Sequence, residues 1–170
     1  MKLSFSTKGW HNKSFDEFCN IARELKFSGI ELHNINGELF KNKDGAFHGY
    51  AAAATVRRLY EMKLELPCID VISDINEDTA IAETESCIKI AEELHIPNIR
   101  IKSAECDGDA AKKFITEVLP PAEKAGVTLV IETSGAFCNT AALRELLDSF
   151  ASDNLAALWD MYSTFFKAGE

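Results

Sequence analysis

Val127-Thr128-Leu129-Val130-Ile131-Glu132-Thr133 decides the fold. An apolar run closed by one carboxylate is the pattern of a buried strand that reaches the sheet edge with a charge at its end. Leu155-Ala156-Ala157-Leu158-Trp159-Asp160 ends in the same way, and a helical pattern lies between the two. Strands joined through a helix run parallel, so Glu132 and Asp160 are expected at the same C-terminal edge of one sheet. α/β folds place their chemistry at that edge. Two converging carboxylates there suit a divalent metal or proton transfer at carbon.

Upstream, the unit repeats. Residues 2–7 alternate as a short strand, and Ser14-Phe15-Asp16-Glu17 reads as a capping box. Phe18, Ile21, Ala22 and Leu25 recur at helical spacing over residues 15–26. Gly29-Ile30-Glu31-Leu32-His33 is strand two, and residues 34–49 form a polar stretch with Asn36-Gly37 and Asp44-Gly45 turn signals. A helix over residues 50–63 leads to strand three, Leu66-Pro67-Cys68-Ile69-Asp70-Val71-Ile72. Asp78 is the expected cap of the next helix, and Asn98-Ile99-Arg100-Ile101-Lys102 is strand four. The following helix starts near Asp109, and Pro120-Pro121 predicts a kink or break in it. Asn139 or Thr140 caps the helix that precedes strand six.

Strand starts recur about every 30 residues, the length of a βαβ repeat. No linker, repeat or charge block interrupts them, so residues 1–170 read as a single domain. The alternation predicts a parallel sheet with helices outside it. An open doubly wound sheet usually carries a glycine-rich phosphate loop after its first strand. Ser6-Thr7-Lys8-Gly9-Trp10-His11 has one glycine, which favours the barrel. The expected fold is a TIM-barrel-type (β/α) sheet that is incomplete, with about six of the eight strands of a full barrel.

The chain is 46% hydrophobic and 26% charged, with a formal net charge of -9. That balance offers no basic stripe for nucleic acid or an anionic membrane surface. No apolar run approaches the roughly 20 residues of a membrane span, and the N-terminus turns polar too soon for a signal peptide. Cys19, Cys68, Cys87, Cys106 and Cys138 are odd in number with no CxxC pair, so a disulfide framework or zinc knuckle is not expected. A reducing cytoplasm fits this usage.

Gly29-Ile30-Glu31-Leu32-His33, Gly126-Val127-Thr128-Leu129-Val130-Ile131-Glu132 and Leu158-Trp159-Asp160 together resemble the sugar phosphate isomerase/epimerase family, the xylose isomerase-like TIM barrels. The resemblance runs through all six strands. It implies a divalent metal, manganese first, with magnesium, cobalt or zinc as alternatives. It also implies a small-molecule partner, a sugar or sugar phosphate, whose proton next to a carbonyl is moved. Family members take four ligands, Glu, Asp, His and Glu, from the ends of strands five to eight, and the last Glu shares the proton transfer. Glu132 matches the first ligand and the base; Asp160 matches the second. His33 matches a histidine that often lines the substrate pocket. Relatives also tend to carry histidines just after the strand-six Asp, where this chain has Tyr162 and Ser163. With strands seven and eight missing, the chain holds half of the expected site. It is expected to be inactive alone, as a fragment or as a chain whose open edges pair with another copy.

Each residue also has a plainer reading. Glu132 can simply bond loop amides, and Asp160 can cap the next helix. His33 either meets a substrate hydroxyl or packs beside Trp10. Lys102, at the end of strand four, either binds a substrate phosphate or carboxylate or pairs with Glu132. Trp10 stacks on a sugar face or plugs the barrel. Asp70, inside strand three, is expected to pair with a neighbouring cation, and Glu31 to be a buried, paired acid. His11 and His48 read as solvated loop residues, and His95 as a helix C-terminal cation. Phe165-Phe166 reads as an apolar contact without its partner. Two functions follow: a metal-dependent isomerase or epimerase, or a non-catalytic remnant barrel that binds a sugar-like ligand or a partner chain. An endonuclease of the same fold needs a histidine-rich trinuclear zinc site, and four histidines with an acidic balance oppose it.

Overall fold

The computed structural model describes residues 1–10, 13–104 and 106–170. Six strands alternate with helices: β1 (Ser4–Ser6), α1 (Phe15–Glu24), β2 (Gly29–His33), α2 (Glu38–Lys41), α3 (Ala51–Met62), β3 (Cys68–Asp74), α4 (Ala80–Leu94), β4 (Asn98–Lys102), α5 (Gly108–Ala125), β5 (Thr128–Glu132), α6 (Thr140–Asp148), β6 (Leu155–Leu158) and α7 (Met161–Ser163). All strand pairs are parallel, and the spatial order is β1-β2-β3-β4-β5-β6. A doubly wound sheet reverses its order at a switch point; this sheet does not, so it is the wall of a TIM-type barrel that does not close. β1 and β6 each have one neighbour. Among the described residues no helix is long and apolar enough to cross a membrane.

The period of two along each strand sorts the side chains. Ile30, Leu32, Ile69, Val71, Ile99, Ile101, Leu129 and Ile131 are all buried against the helices. The alternate residues face the barrel interior, and there the chain departs from the bulky aliphatic filling usual in TIM barrels. Glu31, Asp70, Arg100 and Glu132 lie on that inner face: register pairs Asp70 with Arg100, and Glu31 and Glu132 stand two residues along their strands from the partners of Asp70 (His33) and Arg100 (Val130).

Local chemistry sets the element ends. The expected capping box is present: Ser14 Oγ accepts from the Glu17 N–H, and the Glu17 carboxylate accepts from the Ser14 N–H. Asn139, rather than Thr140, caps α6 through the Ala142 N–H, and Asp107 caps α5. Three expectations are corrected. α5 is continuous through Pro120 and Pro121, because Val118, Leu119 and Ala122 pin its apolar face to the core on both sides of the prolines. α4 starts after Thr79, with no side-chain cap, so Asp78 does not cap it. β3 begins and ends two residues later than the 66–72 reading, and Asp74 closes it. The β2 pairs end at Asp70, and the pairing of β3 with β4 is irregular between Asp70 and Asp74, around Ile72 and Ser73. The Glu83 carboxylate of α4 accepts from the N–H groups of both, at 3.1 and 2.9 Å.

Candidate functional site in the barrel interior and mouth

Arg100 is the centre of the interior. Its Nη2 donates to Asp70 Oδ2 at 2.7 Å and lies 3.3 Å from Glu31 Oε1; its Nη1 lies 3.7 Å from Glu132 Oε1. Burial opposes the guanidinium charge, but the facing carboxylates outweigh it and raise its pKa. Asp70, 3% exposed, accepts from three directions: Arg100, the Asn34 N–H at 3.3 Å, and His33 Nδ1, which is 2.8 Å from both carboxylate oxygens. The expected pairing of Asp70 with a cation is therefore met. Glu31 sits at ion-pair distance from Arg100, yet its Oε1 is buried without a hydrogen bond. Burial pushes the Glu31 carboxyl above the usual range, and Arg100 only partly offsets this. At the floor, burial pushes the Cys68 thiol up to about 12, so it stays protonated and inert.

The mouth is arranged on either side of this hub. On the β2 side, His33 is tied down by its ring bond to Asp70 and by its N–H, which donates to Thr7 Oγ1 at 2.9 Å. A cleft of about 930 Å³ opens there, lined by Thr7, Trp10, Phe18, His33 and Asn34 among others. Trp10 does not plug the barrel. Its ring packs at 5.9 Å from Phe5 and 6.5 Å from Phe18, on the helix side of the sheet, and it remains 42% exposed. His33 and Trp10 thus share one cleft, while Lys102, Glu132 and Asp160 do not line it.

On the other side, Glu132 ends β5, and its Oε2 accepts from Ser134 Oγ at 2.9 Å. Gly135 makes that turn: its φ is 55°, and a Cβ there would lie 2.5 Å from the Ala104 Cα. Register pairs Glu132 with Leu158, so Asp160 stands two residues beyond the end of β6. Thr133 joins the two strand ends: its N–H donates to the Leu158 carbonyl at 2.9 Å, and its Oγ1 accepts from the Asp160 N–H at 2.7 Å. Asp160 caps α7: Oδ1 accepts from the Tyr162 N–H at 2.9 Å and Oδ2 from Ser163 Oγ at 2.7 Å. The Ser163 bond above all holds its carboxyl below the usual range. Lys102 is exposed at the end of β4, with no ion pair to a described residue.

Of the remaining histidines, His48 bonds the Phe40 carbonyl through Nδ1 at 3.0 Å, His95 is the left-handed C-cap of α4, and His11 lies outside the described residues. Arg100 is the residue that sequence reading missed. The signal was present: on alternate positions it shares a face with Lys102, and Glu31 and Asp70 on the neighbouring strands need an inward cation.

Glu132 and Asp160 offer hard oxygen donors, which suit magnesium or manganese. Among the described residues no group of three or more His, Cys, Asp or Glu is placed to hold an ion. The two carboxylates fit as part of a divalent site and do not complete one.

The family description "Xylose isomerase-like TIM barrel" matches residues 19–170. No curated protein matches the chain. Among solved structures, the probable 3-DHS dehydratase AsbF of Bacillus anthracis is similar at 19% identity and TM-score 0.75, over 96% of this chain and 64% of its own. A D-tagatose 3-epimerase-like protein is similar at 15% identity and TM-score 0.72, over 96% and 66%. A xylose isomerase-like TIM barrel protein of Mycobacterium smegmatis in complex with magnesium is similar at 13% and TM-score 0.69, over 96% and 65%. At such identities the likeness concerns the fold, and the chain spans less than two thirds of each of these proteins.

Proposed function

Because the chain belongs to the xylose isomerase-like TIM barrel family, we propose that its mouth is the acidic half of a divalent-metal-dependent isomerase or epimerase site. The substrate class is a ketose, an aldose, their phosphates or a polyol-derived ketone. The observation that carries this reading is Glu132 and Asp160 at the ends of adjacent parallel strands, bridged by Thr133. Glu132 and Asp160 would contribute to holding a divalent ion, which would supply Lewis-acid polarisation of a substrate carbonyl. Glu132 takes the proton next to that carbonyl, with Ser134 orienting one oxygen and Arg100 compensating its charge. His33 and Trp10 line the sugar cleft, and Lys102 at the rim meets a phosphate. Manganese is the ion we favour. A divalent ion there takes further ligands besides Glu132 and Asp160. The five free cysteines support a reducing, cytoplasmic setting.

A second reading has one observation behind it. Both Asp160 oxygens already cap α7, the arrangement expected of a remnant barrel that binds a sugar-like ligand without catalysis. Calorimetric titration with Mn²⁺ separates the two. Binding that Glu132→Gln weakens at least about tenfold supports the metal site. Indifference of the wild-type chain to Mn²⁺, Mg²⁺, Co²⁺ and Zn²⁺ overturns it in favour of the remnant.

A further inference from the structure

We propose that Arg100 is a positioning residue that acts through Asp70 on His33, fixing the neutral ring with its proton on Nδ1, so that Nε2 presents an acceptor lone pair to a hydroxyl of a ligand in the cleft. The ligand class rests on the function proposed above; the proton's location does not.

Asp70 is buried in mid-strand, where an ionised carboxylate accepts hydrogen bonds and donates none. Arg100 Nη2 donates to it at 2.7 Å, a charge-assisted bond to the carboxylate. The His33 nitrogen at 2.8 Å from both its oxygens must then be the protonated one. In a neutral imidazole the hydrogen bond made by one nitrogen decides the state of the other. Nδ1 is taken up by Asp70 and His33 lines the cleft, which leaves Nε2 as the ring nitrogen available to a ligand there. The His33 backbone is held as well, by Thr7 Oγ1, so the ring has little freedom to turn away.

The charges around the relay explain why a cation is needed. Asp70, Glu31 and Glu132 all face Arg100, and Cys68 below them is a neutral thiol. If Arg100 were absent, Asp70 would hold its charge in a buried site with only His33 and one amide as partners. A protonated Asp70 would donate to Nδ1 and place the ring proton on Nε2, which removes the acceptor from the cleft. Arg100 therefore decides which ring nitrogen faces the ligand without touching the ligand itself.

The test is two-bond ¹H–¹⁵N spectroscopy of the ring nitrogens in the ¹⁵N-histidine-labelled chain, at a pH where all four rings are neutral. His33→Gln identifies the His33 signals. The wild-type chain is expected to show the Nδ1–H pattern. Asp70→Asn, which can donate its own N–H to Nδ1, is expected to shift the pattern to Nε2–H. Arg100→Met is expected to give a mixture of both tautomers. Should that variant fail to fold, Arg100→Lys carries the test: a single ammonium cannot face Asp70 and Glu31 on one side and Glu132 on the other as the two guanidinium nitrogens do. The Nδ1 proton should then exchange about tenfold faster. An Nε2–H pattern in the wild-type chain overturns the relay, as does exchange that Arg100→Lys leaves unchanged. A chain that binds no metal yet shows the Nδ1–H pattern keeps the relay and loses the isomerase reading; Mn²⁺ binding with an Nε2–H pattern does the reverse.

Discussion

The β2–β4 half and the β5–β6 half of this sheet are built from the same β/α unit and end differently. In the first, Glu31, Asp70 and Arg100 are held in one charge cluster, and Asp70 is 3% exposed with three partners around it. In the second, the Glu132 side chain is 32% exposed, and Trp159, Phe165 and Phe166 are 68%, 64% and 69% exposed. Neighbours make the difference. β3 and β4 each have a strand on both sides, whereas β6 has one on β5 alone. A strand with two neighbours can bury a charge network. The edge strand β6 leaves the aromatics that follow it exposed; Glu132 is part-exposed because it is the last residue of β5, at the C-terminal edge of the sheet.

Given that contrast, removing one charge from each half has unequal effects. Arg100→Met leaves Asp70 and Glu31 buried without their cation and is expected to cost about 3–5 kcal/mol. Glu132→Gln keeps the bond to Ser134 and removes only the loose 3.7 Å contact with Arg100, and is expected to stay within about 0.5 kcal/mol of wild type. Urea unfolding midpoints measure both. Equal losses would mean that Glu132 belongs to the buried network and that the two halves are one.

The half that is easier to read in the sequence is the open one. Glu132 and Asp160 close apolar runs, so their position at strand ends follows from pattern alone, as does the parallel sheet. The buried half was legible only in part. Asp70 and Glu31 stood out as acids inside strands that needed partners, but which cation reached them depends on register, and register is a property of strand pairs. Pairing Asp70 with Arg100 follows from β3 and β4 aligning Cys68 with Asn98, which no single strand reveals. The helix through Pro120 and Pro121 was illegible for a similar reason: local propensity predicted a kink or a break, and burial of the face around Val118 keeps the helix unbroken.

The open half also predicts association. Tyr162 and Phe166 rings are 5.0 Å apart and Phe165 and Phe166 are 4.9 Å apart, in one exposed cluster beside the β6 edge. We propose that a second copy of the chain covers this cluster. Light scattering over a concentration series should show a dimer. Phe165→Ser with Phe166→Ser should raise its dissociation constant at least about tenfold, a change of about 1.4 kcal/mol. Folding stability should be little changed, because both rings are exposed. A wild-type chain that is monomeric throughout removes the association and leaves the contrast between the halves standing.

Glu31 gives the finest test, because it lies in the buried half but is the least well satisfied of its acids. Its carboxyl is raised by burial, with Arg100 opposing. A carboxyl raised on folding binds its proton more tightly in the folded state than in the unfolded one. Its ionised form therefore costs stability above the folded pKa, and that cost fades as pH falls toward the unfolded value of about 4.3. Glu31→Gln is accordingly expected to match or exceed wild-type stability at neutral pH, with the advantage shrinking as pH is lowered toward 4.3. Urea midpoints of both proteins across that range decide it. A loss at neutral pH comparable to that of Arg100→Met would show that Glu31 is as fully paired as Asp70. The buried half would then be uniform, with its charges bonded on every side.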